Sequence, residues 1–406
     1  MEARLRARAY AMRVALFYGA LFVVYGMHVP YMPVWLDGKG LSAAQISTVM
    51  AAPFFLRLLI TPGVALAADR NERHRAMLIV LAWASLAIVI GLSQASGFWQ
   101  ILILAVPLII AFTTIMPLTE TVAVSGVRHA GLDYGRMRLW GSLTFVAASF
   151  AGGLAIARWG SSAAIWLVAA GCALTVIAAH LLPREALGRD DPSPHQGPWW
   201  KAEEPLMLLW QPAFAAFLLT AGGVQAAHAT FLTFGTLIWQ KQGLSGGWIG
   251  ALWAIGVFAE VAVFAASGWL VKTFGAVAML GAGAGLSVLR WTVMAFDPGL
   301  GVLIPLQILH GVTYGASHIG AIHFISQAVP RHATGSAQAL YATVAAGLAM
   351  GIATLAAGWL YARHGGQSYM AMTGIAAVAL YGAFQIQRLW NGETLPDAKS
   401  NGAALR

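Results

Sequence analysis

Long apolar runs separated by short polar or glycine-marked breaks dominate the chain, and within each run the apolar residues are continuous rather than alternating. A hydrocarbon core of about 30 Å takes roughly 20 apolar residues as a helix, so each run predicts a membrane-crossing helix. The alternating segments of about ten residues that a membrane β-barrel needs do not occur. Twelve spans are expected, near residues 13–36, 42–66, 75–94, 98–125, 137–157, 162–182, 209–238, 246–270, 275–296, 300–327, 335–361 and 368–389.

The longest polar stretch, LLPREALGRDDPSPHQGPWWKAEEP at 181–205, divides the spans six and six. It predicts a cytoplasmic linker at 183–207 between an N-terminal bundle, 1–182, and a C-terminal one, 208–406. Internal repeats support duplication: LSAAQI at 41–46 recurs as LSGGWI at 244–249, VRHA at 127–130 as PRHA at 330–333, and GLAIARWG at 153–160 as GWLYARHG at 358–365. The offsets, 203, 203 and 205 residues, hold register across the half. The expected fold class is therefore an all-α membrane protein of twelve transmembrane helices in two pseudo-symmetric six-helix bundles, a parallel duplication used by secondary transporters. Gly281, Gly283 and Gly285, and Gly347 with Gly351, are expected to let helices approach closely.

Composition agrees. Hydrophobic residues make up 59% of the 406, charged residues only 10%, and the mean hydropathy is +0.71, where soluble domains carry about 25% charged residues. A net charge of +9 would raise the question of nucleic acid in a soluble protein. Here the basic residues concentrate at the termini and in the even-numbered loops, and only Lys39, Arg158, Lys241 and Arg363 lie in odd-numbered ones. The positive-inside rule then places both termini in the cytoplasm, and no nucleic-acid partner is expected. The opening MEARLRARAYAMR resembles a signal peptide, but its full-length apolar run and the lack of an A-x-A cleavage site predict a retained first helix. Cys172 alone supports neither a disulfide nor a metal site. No G-x-x-x-x-G-K-[ST] loop is present, so neither ATP nor any other cofactor is implied. The absence of an H-E-x-x-H motif, and the placing of the two intramembrane acids in different halves, argue against an embedded enzyme.

The candidate chemistry lies in the few polar residues inside spans, because a charge at the centre of a membrane helix costs on the order of 2.5–3.5 kcal/mol and is usually kept for a cavity or partner. Of 15 acidic residues only Glu120 and Glu260 fall within spans. Glu260, in GVFAEVAVFA, has Arg290 and His310 on the next two spans as expected neighbours, a carboxylate, guanidinium and imidazole whose protonation can be coupled. A carboxylate locked to an arginine for packing is the other reading. In the first half, Glu120 and Arg138 are the candidates, Arg138 as a planar fork for a substrate carboxylate and Arg136 at the cytoplasmic mouth. Arg57 occupies the position that the 203-residue offset maps onto Glu260; it either faces the bundle interior or snorkels to the surface. His28, His228, His318 and His323 read as structural or pore-lining.

DYGRMRLWGS, the AAHATF of span 7, GVFAEVAVF, the Arg290–Trp291 pair and LQILHGVTYGASH together resemble the major facilitator superfamily, in the branch that contains lactose permease and the 3-phenylpropionic acid transporters. The superfamily's loop signature survives in part between spans 2 and 3: Asp69, Arg70 and Arg73 stand as a conformational loop, with Ala65 and Glu72 at its glycine positions. The resemblance implies that Glu120 and Arg138 bind substrate and that Glu260, Arg290 and His310 couple proton to substrate; Trp140 and Phe145 are expected to offer the substrate apolar contact, and His228 is grouped with the substrate-binding residues. Where lactose permease carries a carboxylate three residues after its span 10 histidine, this chain has Thr313, as the phenylpropionic acid transporters do, so proton carriage falls to Glu260. The resulting expectation is a secondary transporter, not an enzyme, in the bacterial inner (plasma) membrane, working as a monomer in the lipid bilayer on protons and a small-molecule substrate. Proton-coupled uptake of an aromatic monocarboxylate such as a phenylpropionate comes first, a sugar or nucleoside symporter second and an exporter third.

Overall fold

The computed structural model describes residues 2–70, 73–183 and 207–395, and they are helical nearly throughout. Helix α1 spans Glu2–Gly38, α2 Ala43–Arg70, α3 His74–Gln94, α4 Phe98–Ala130, α5 Tyr134–Trp159 and α6 Ala163–Leu181. The second set begins with α7, in two pieces, Pro212–Ala226 and Ala229–Lys241, that meet at His228. Helix α8 runs Gly246–Ala265 and continues as Ser267–Phe274; α9 is Ala276–Met294. Helix α10 comprises Leu300–Ile308, a π-helical segment Gly311–Ala316, and Ser317–Ala328. Helix α11 comprises Thr334–Tyr341, a second π segment Ala342–Ala349, and Met350–His364, and α12 is Tyr369–Leu389. Among the described residues, eleven stretches are long and apolar enough to cross a membrane, and the last, Arg331–Leu389, breaks at Gly365–Ser368 into two helices. The expected linker and the side chains of Asp69 and Arg70 lie outside the described residues.

Local chemistry sets the ends of these helices. Ser42 and Gln45 form a reciprocal capping box at the start of α2, with Ser42 N–H on Gln45 Oε1 at 2.9 Å and Gln45 N–H on Ser42 Oγ at 3.3 Å. Ser245 stands at the equivalent point before α8, its Oγ 3.5 Å from the Trp248 amide. Asp133 caps α5 by accepting the Arg136 amide at 3.0 Å. Gly131 ends α4 in the left-handed region, φ 59°.

The chain forms two compact units, Met1–Pro192 with Leu232–Ala254, and Ser193–Phe231 with Ile255–Arg406. In the first, α1 packs on α5 and α6, and α3 on α4 and α6; in the second, α7 packs on α11 and α12, and α9 on α10 and α12. The same four pairings recur six helices on, as the internal repeats require. The core of the second unit includes Phe217 stacked on Phe324, ring centroids 4.6 Å apart, and the chain after α12 returns to place Leu395 N–H on the Ala328 carbonyl at 2.7 Å.

One boundary differs from the expected bundles: Leu232–Ala254, the end of α7 and the start of α8, belongs to the first unit. The cause is backbone contact. A Cβ on Gly250 would meet Phe150 Cα and Ser149 O at 2.7 Å, and Gly246 and Gly153 each approach the other's carbonyl so closely that neither tolerates a Cβ. Both residues lie in repeated motifs, LSGGWI and GLAIARWG. Of the span 9 glycines, Gly283 alone approaches α10 tightly, against Ser317, while Gly281 and Gly285 meet α12 side chains at an ordinary 3.8 Å.

Gly246→Val is expected to cost about 1–3 kcal/mol by overpacking and to lower the thermal midpoint of the purified protein. Gly268→Ala, where a Cβ meets nothing within 4 Å, is expected to leave it unchanged.

Candidate functional site

Arg290 is fully buried in the second unit, and its described hydrogen bonds all go to neutral acceptors. Nη1 donates to Nδ1 of His310 at 3.0 Å and to Oγ1 of Thr313 at 3.1 Å, and Nη2 donates to Oε1 of Gln307 at 2.9 Å. A guanidinium has only donors, so Nδ1 of His310 accepts and a neutral ring carries its hydrogen on Nε2. That Nε2 points to Glu260, 3.8 Å from Oε2. Thr313, having accepted from Arg290, has its hydroxyl 3.4 Å from Nε2 of His228, whose Nδ1 is 2.8 Å from the Val224 carbonyl. Aromatic rings close the cage: Trp291 lies 4.4 Å and Phe231 4.8 Å from the Arg290 guanidinium, Trp291 stacks on Tyr369, and His310 stacks on Tyr314 at 5.3 Å.

Glycines and a π segment put these groups together. On α10, a Cβ on Gly311 would strike the Ala259 carbonyl oxygen at 2.6 Å, and one on Gly315 would touch Glu260 Cγ at 3.4 Å. Gly256 of α8 leaves room for the ring of His310, whose Cδ2 stands 3.5 Å from where a Cβ would be. Helix α8 therefore lies directly against the π segment, with Glu260 beside His310. Such segments, whose hydrogen bonds close i→i+5, occur frequently at functional sites.

The first unit holds a second, looser cluster. Arg138 Nε is 4.0 Å from Glu120 Oε1, and both side chains are part-exposed, 27% and 29%. Described aromatic contacts to Arg138 come from α1, with Phe22 at 4.0 Å and Tyr18 at 5.6 Å from the guanidinium. Gly141 makes the space, since a Cβ there would lie 2.9 Å from both Arg138 Nη1 and Phe22. Nη1 of Arg138 is buried and has no hydrogen-bond partner.

Of the other candidates, Trp140 is exposed, Phe145 is buried, and His228 lies in the Arg290 cluster of the second unit. Arg57 is half-buried and lies 4.8 Å from the ring of Phe54. His318 meets Tyr341, and His323 stands near the end of α10, its carbonyl accepting Ser326 Oγ. Arg73 is exposed at the start of α3. Arg136 pairs with Asp133 at 3.3 Å on the surface. Among the described residues no three His, Cys, Asp or Glu side chains gather to hold a metal ion. Gln307 and Phe22 were not foreseen. Gln307 precedes His310 by three residues on an apolar helix, a spacing that puts both on one face, and Phe22 follows Tyr18 by four.

Buried charges held among duplicated sets of membrane-length helices define a multi-span secondary transporter. The chain belongs to the MFS_1 like family, which it matches over residues 11–371. It is 30% identical over 371 residues to a probable 3-phenylpropionic acid transporter of Escherichia coli strain K12, covering 91% of this chain and 96% of that one. It is also 30% identical over 357 residues to a maltose permease of Geobacillus stearothermophilus, covering 86% and 87%. The crystal structure of the nucleoside transporter NupG superposes with a TM-score of 0.81 at 14% identity, over 94% of this chain and 99% of that chain. The chain is thus a multi-pass membrane transporter of the major facilitator type, not an enzyme.

Gly311→Ala, which would drive α8 away from α10, is expected to lose about 1–3 kcal/mol, whereas Gly256→Ala, with its methyl at an ordinary 3.5 Å from His310, is expected to match the wild type. Thermal unfolding in detergent compares the two.

Proposed function

We propose that the protein is a proton symporter that takes up a small organic monocarboxylate, an aromatic acid such as a phenylpropionate. The observation that carries this reading is the chain of groups from Arg290 through His310 to Glu260. Glu260 is 21% exposed while Arg290 is sealed, so protons reach the carboxylate and not the guanidinium. With Arg290 occupying Nδ1, a neutral His310 turns its Nε2–H toward Glu260, 3.8 Å away, so that a proton gained or lost at Glu260 acts on the Arg290 cluster through this ring. Thr313 is a hydroxyl already bonded to Arg290, which leaves Glu260 as the proton carrier.

For the substrate, the support is Arg138. Its buried, unpartnered Nη1 is a place for a carboxylate oxygen, and Phe22 lies on the same guanidinium as an apolar wall. The similarity to a probable 3-phenylpropionic acid transporter points the same way. Uptake driven by the proton gradient, a bacterial inner-membrane location with both termini cytoplasmic, and action as a monomer complete the proposal. One observation favours a second reading: Glu120 stands 4.0 Å from Arg138, a donor and acceptor pair suited to sugar hydroxyls, and a maltose permease is among the relatives.

Purified protein in liposomes under an imposed pH gradient, offered 3-phenylpropionate, maltose and uridine in parallel, separates these readings. Gradient-dependent accumulation of the aromatic acid is expected, and accumulation of maltose or uridine alone would overturn the substrate assignment. Glu260→Gln is expected to abolish accumulation while keeping counterflow within about twofold of wild type. Accumulation that survives this change removes Glu260 from coupling.

A further inference from the structure

Eight residues beyond His310, α10 carries a second histidine on the same side. In an unbroken α-helix eight residues make about 2.2 turns and would put His318 roughly 80° from His310. The π segment Gly311–Ala316 has more residues per turn and removes most of that offset. Contacts with α8 agree. Glu260 touches His310 and lies against Gly315, and Phe264, one turn after Glu260, faces the ring of His318 at 6.4 Å. Glu260 therefore stands beside His310, and His318 lies about one helical turn, roughly 5 Å, further along α10 toward the end at Ala328.

His318 is held in place. Its Nδ1 lies 3.3 Å from the hydroxyl of Tyr341, which is itself buried. This fixes the ring and turns Nε2 away from Tyr341. Tyr341 immediately precedes the second π segment, Ala342–Ala349, so His318 and its anchor both border a widened stretch of helix. The titratable groups nearest His318 on the elements packed around it include Glu260 on α8, Tyr341 on α11 and Arg290 on α9, engaged with His310; its own helix also carries Tyr314 and His323, and Lys272 on the last piece of α8 and Arg363 and His364 at the end of α11 are exposed.

We propose that His318, anchored by Tyr341, is the proton station that follows Glu260, on the side of the span that ends at Ala328. The Glu260 carboxyl gives its proton, relayed across that turn by a water, to Nε2 of His318, leaving a carboxylate and an imidazolium. The imidazolium then passes the proton to water at that face, which the distribution of basic residues makes the cytoplasmic one. His310 sets the charge state of Glu260 from one side, and His318 empties it from the other. This inference rests on the reading of Glu260 as proton carrier.

The test uses full-length protein in liposomes, with 3-phenylpropionate, maltose or uridine, whichever the wild type accumulates, and a pH-sensitive dye in the lumen. His318→Gln is expected to slow gradient-driven uptake and lumenal proton release at least tenfold while leaving counterflow, which moves no net proton, within twofold. Tyr341→Phe, which keeps the ring and loses the anchor, is expected to give an intermediate slowing of proton release. His318→Gln with wild-type proton release overturns the proposal, as does an equal loss of uptake and counterflow in both variants. If Glu260→Gln itself leaves accumulation intact, the carrier assignment fails; loss of accumulation in Glu260→Gln alongside wild-type His318→Gln removes only the second station.

Discussion

Burying a guanidinium among apolar helices is the constraint around which the second unit is arranged. Arg290 stays charged, and an unpaired charge in hydrocarbon costs several kcal/mol. No carboxylate is described against it; Gln307, His310 and Thr313 accept its protons, and two aromatic rings stack on its faces. Three acceptors must then come from one helix at i, i+3 and i+6, which fixes the rotation of α10 against α9. The nearest acid is one imidazole away. Its attraction to the cation acts through a ring that has two tautomers and can itself take a proton, so the interaction can be switched where a direct ion pair would only hold.

This arrangement is possible because the backbones come very close. Membrane helices gain nothing hydrophobic from associating, so their contacts depend on small residues that let main chains touch. Gly311 and Gly315 bring α8 onto α10, and Gly283 brings α9 onto the same helix at Ser317. Glu260 reaches His310 only while that seam is closed. Packing and chemistry are thus one property here: a bulky side chain in the seam would separate acid from imidazole before it touched either.

Much of the fold was legible in the sequence. Continuous apolar runs gave the spans because hydropathy acts over twenty residues at a time, and the repeated LSAAQI and LSGGWI mark helix starts that both carry a capping serine. Glu260, Arg290 and His310 were legible as neighbours because three polar residues on successive helices have few other places to go. Less of the detail was readable. Nothing in GVTYGA distinguishes a π turn from an α turn, since the choice depends on how α8 packs against it. Nor does composition separate Gly283, which must be glycine, from Gly281 and Gly285, which need not be. The tie of the span 7 histidine, His228, through Thr313 to Arg290 was not readable either. That tie follows from a break in α7 at His228 itself, which no propensity marks.

The two arginine clusters show what burial does to one chemical group. Arg138 keeps about a quarter of its side chain exposed, stands 4.0 Å from a carboxylate and has a terminal nitrogen without a partner. Arg290 has no exposure, and both its terminal nitrogens are engaged. A ligand that brings its own negative charge gains most at the first, where solvent can leave and a donor is waiting. At the second it would have to displace three hydrogen bonds and open a packed helix seam. The proposed division, substrate chemistry in the first unit and proton chemistry in the second, therefore asks least of the two clusters, and in that proposal Glu260, partly exposed beside the sealed Arg290, is where a proton acts on the buried charge without exposing it.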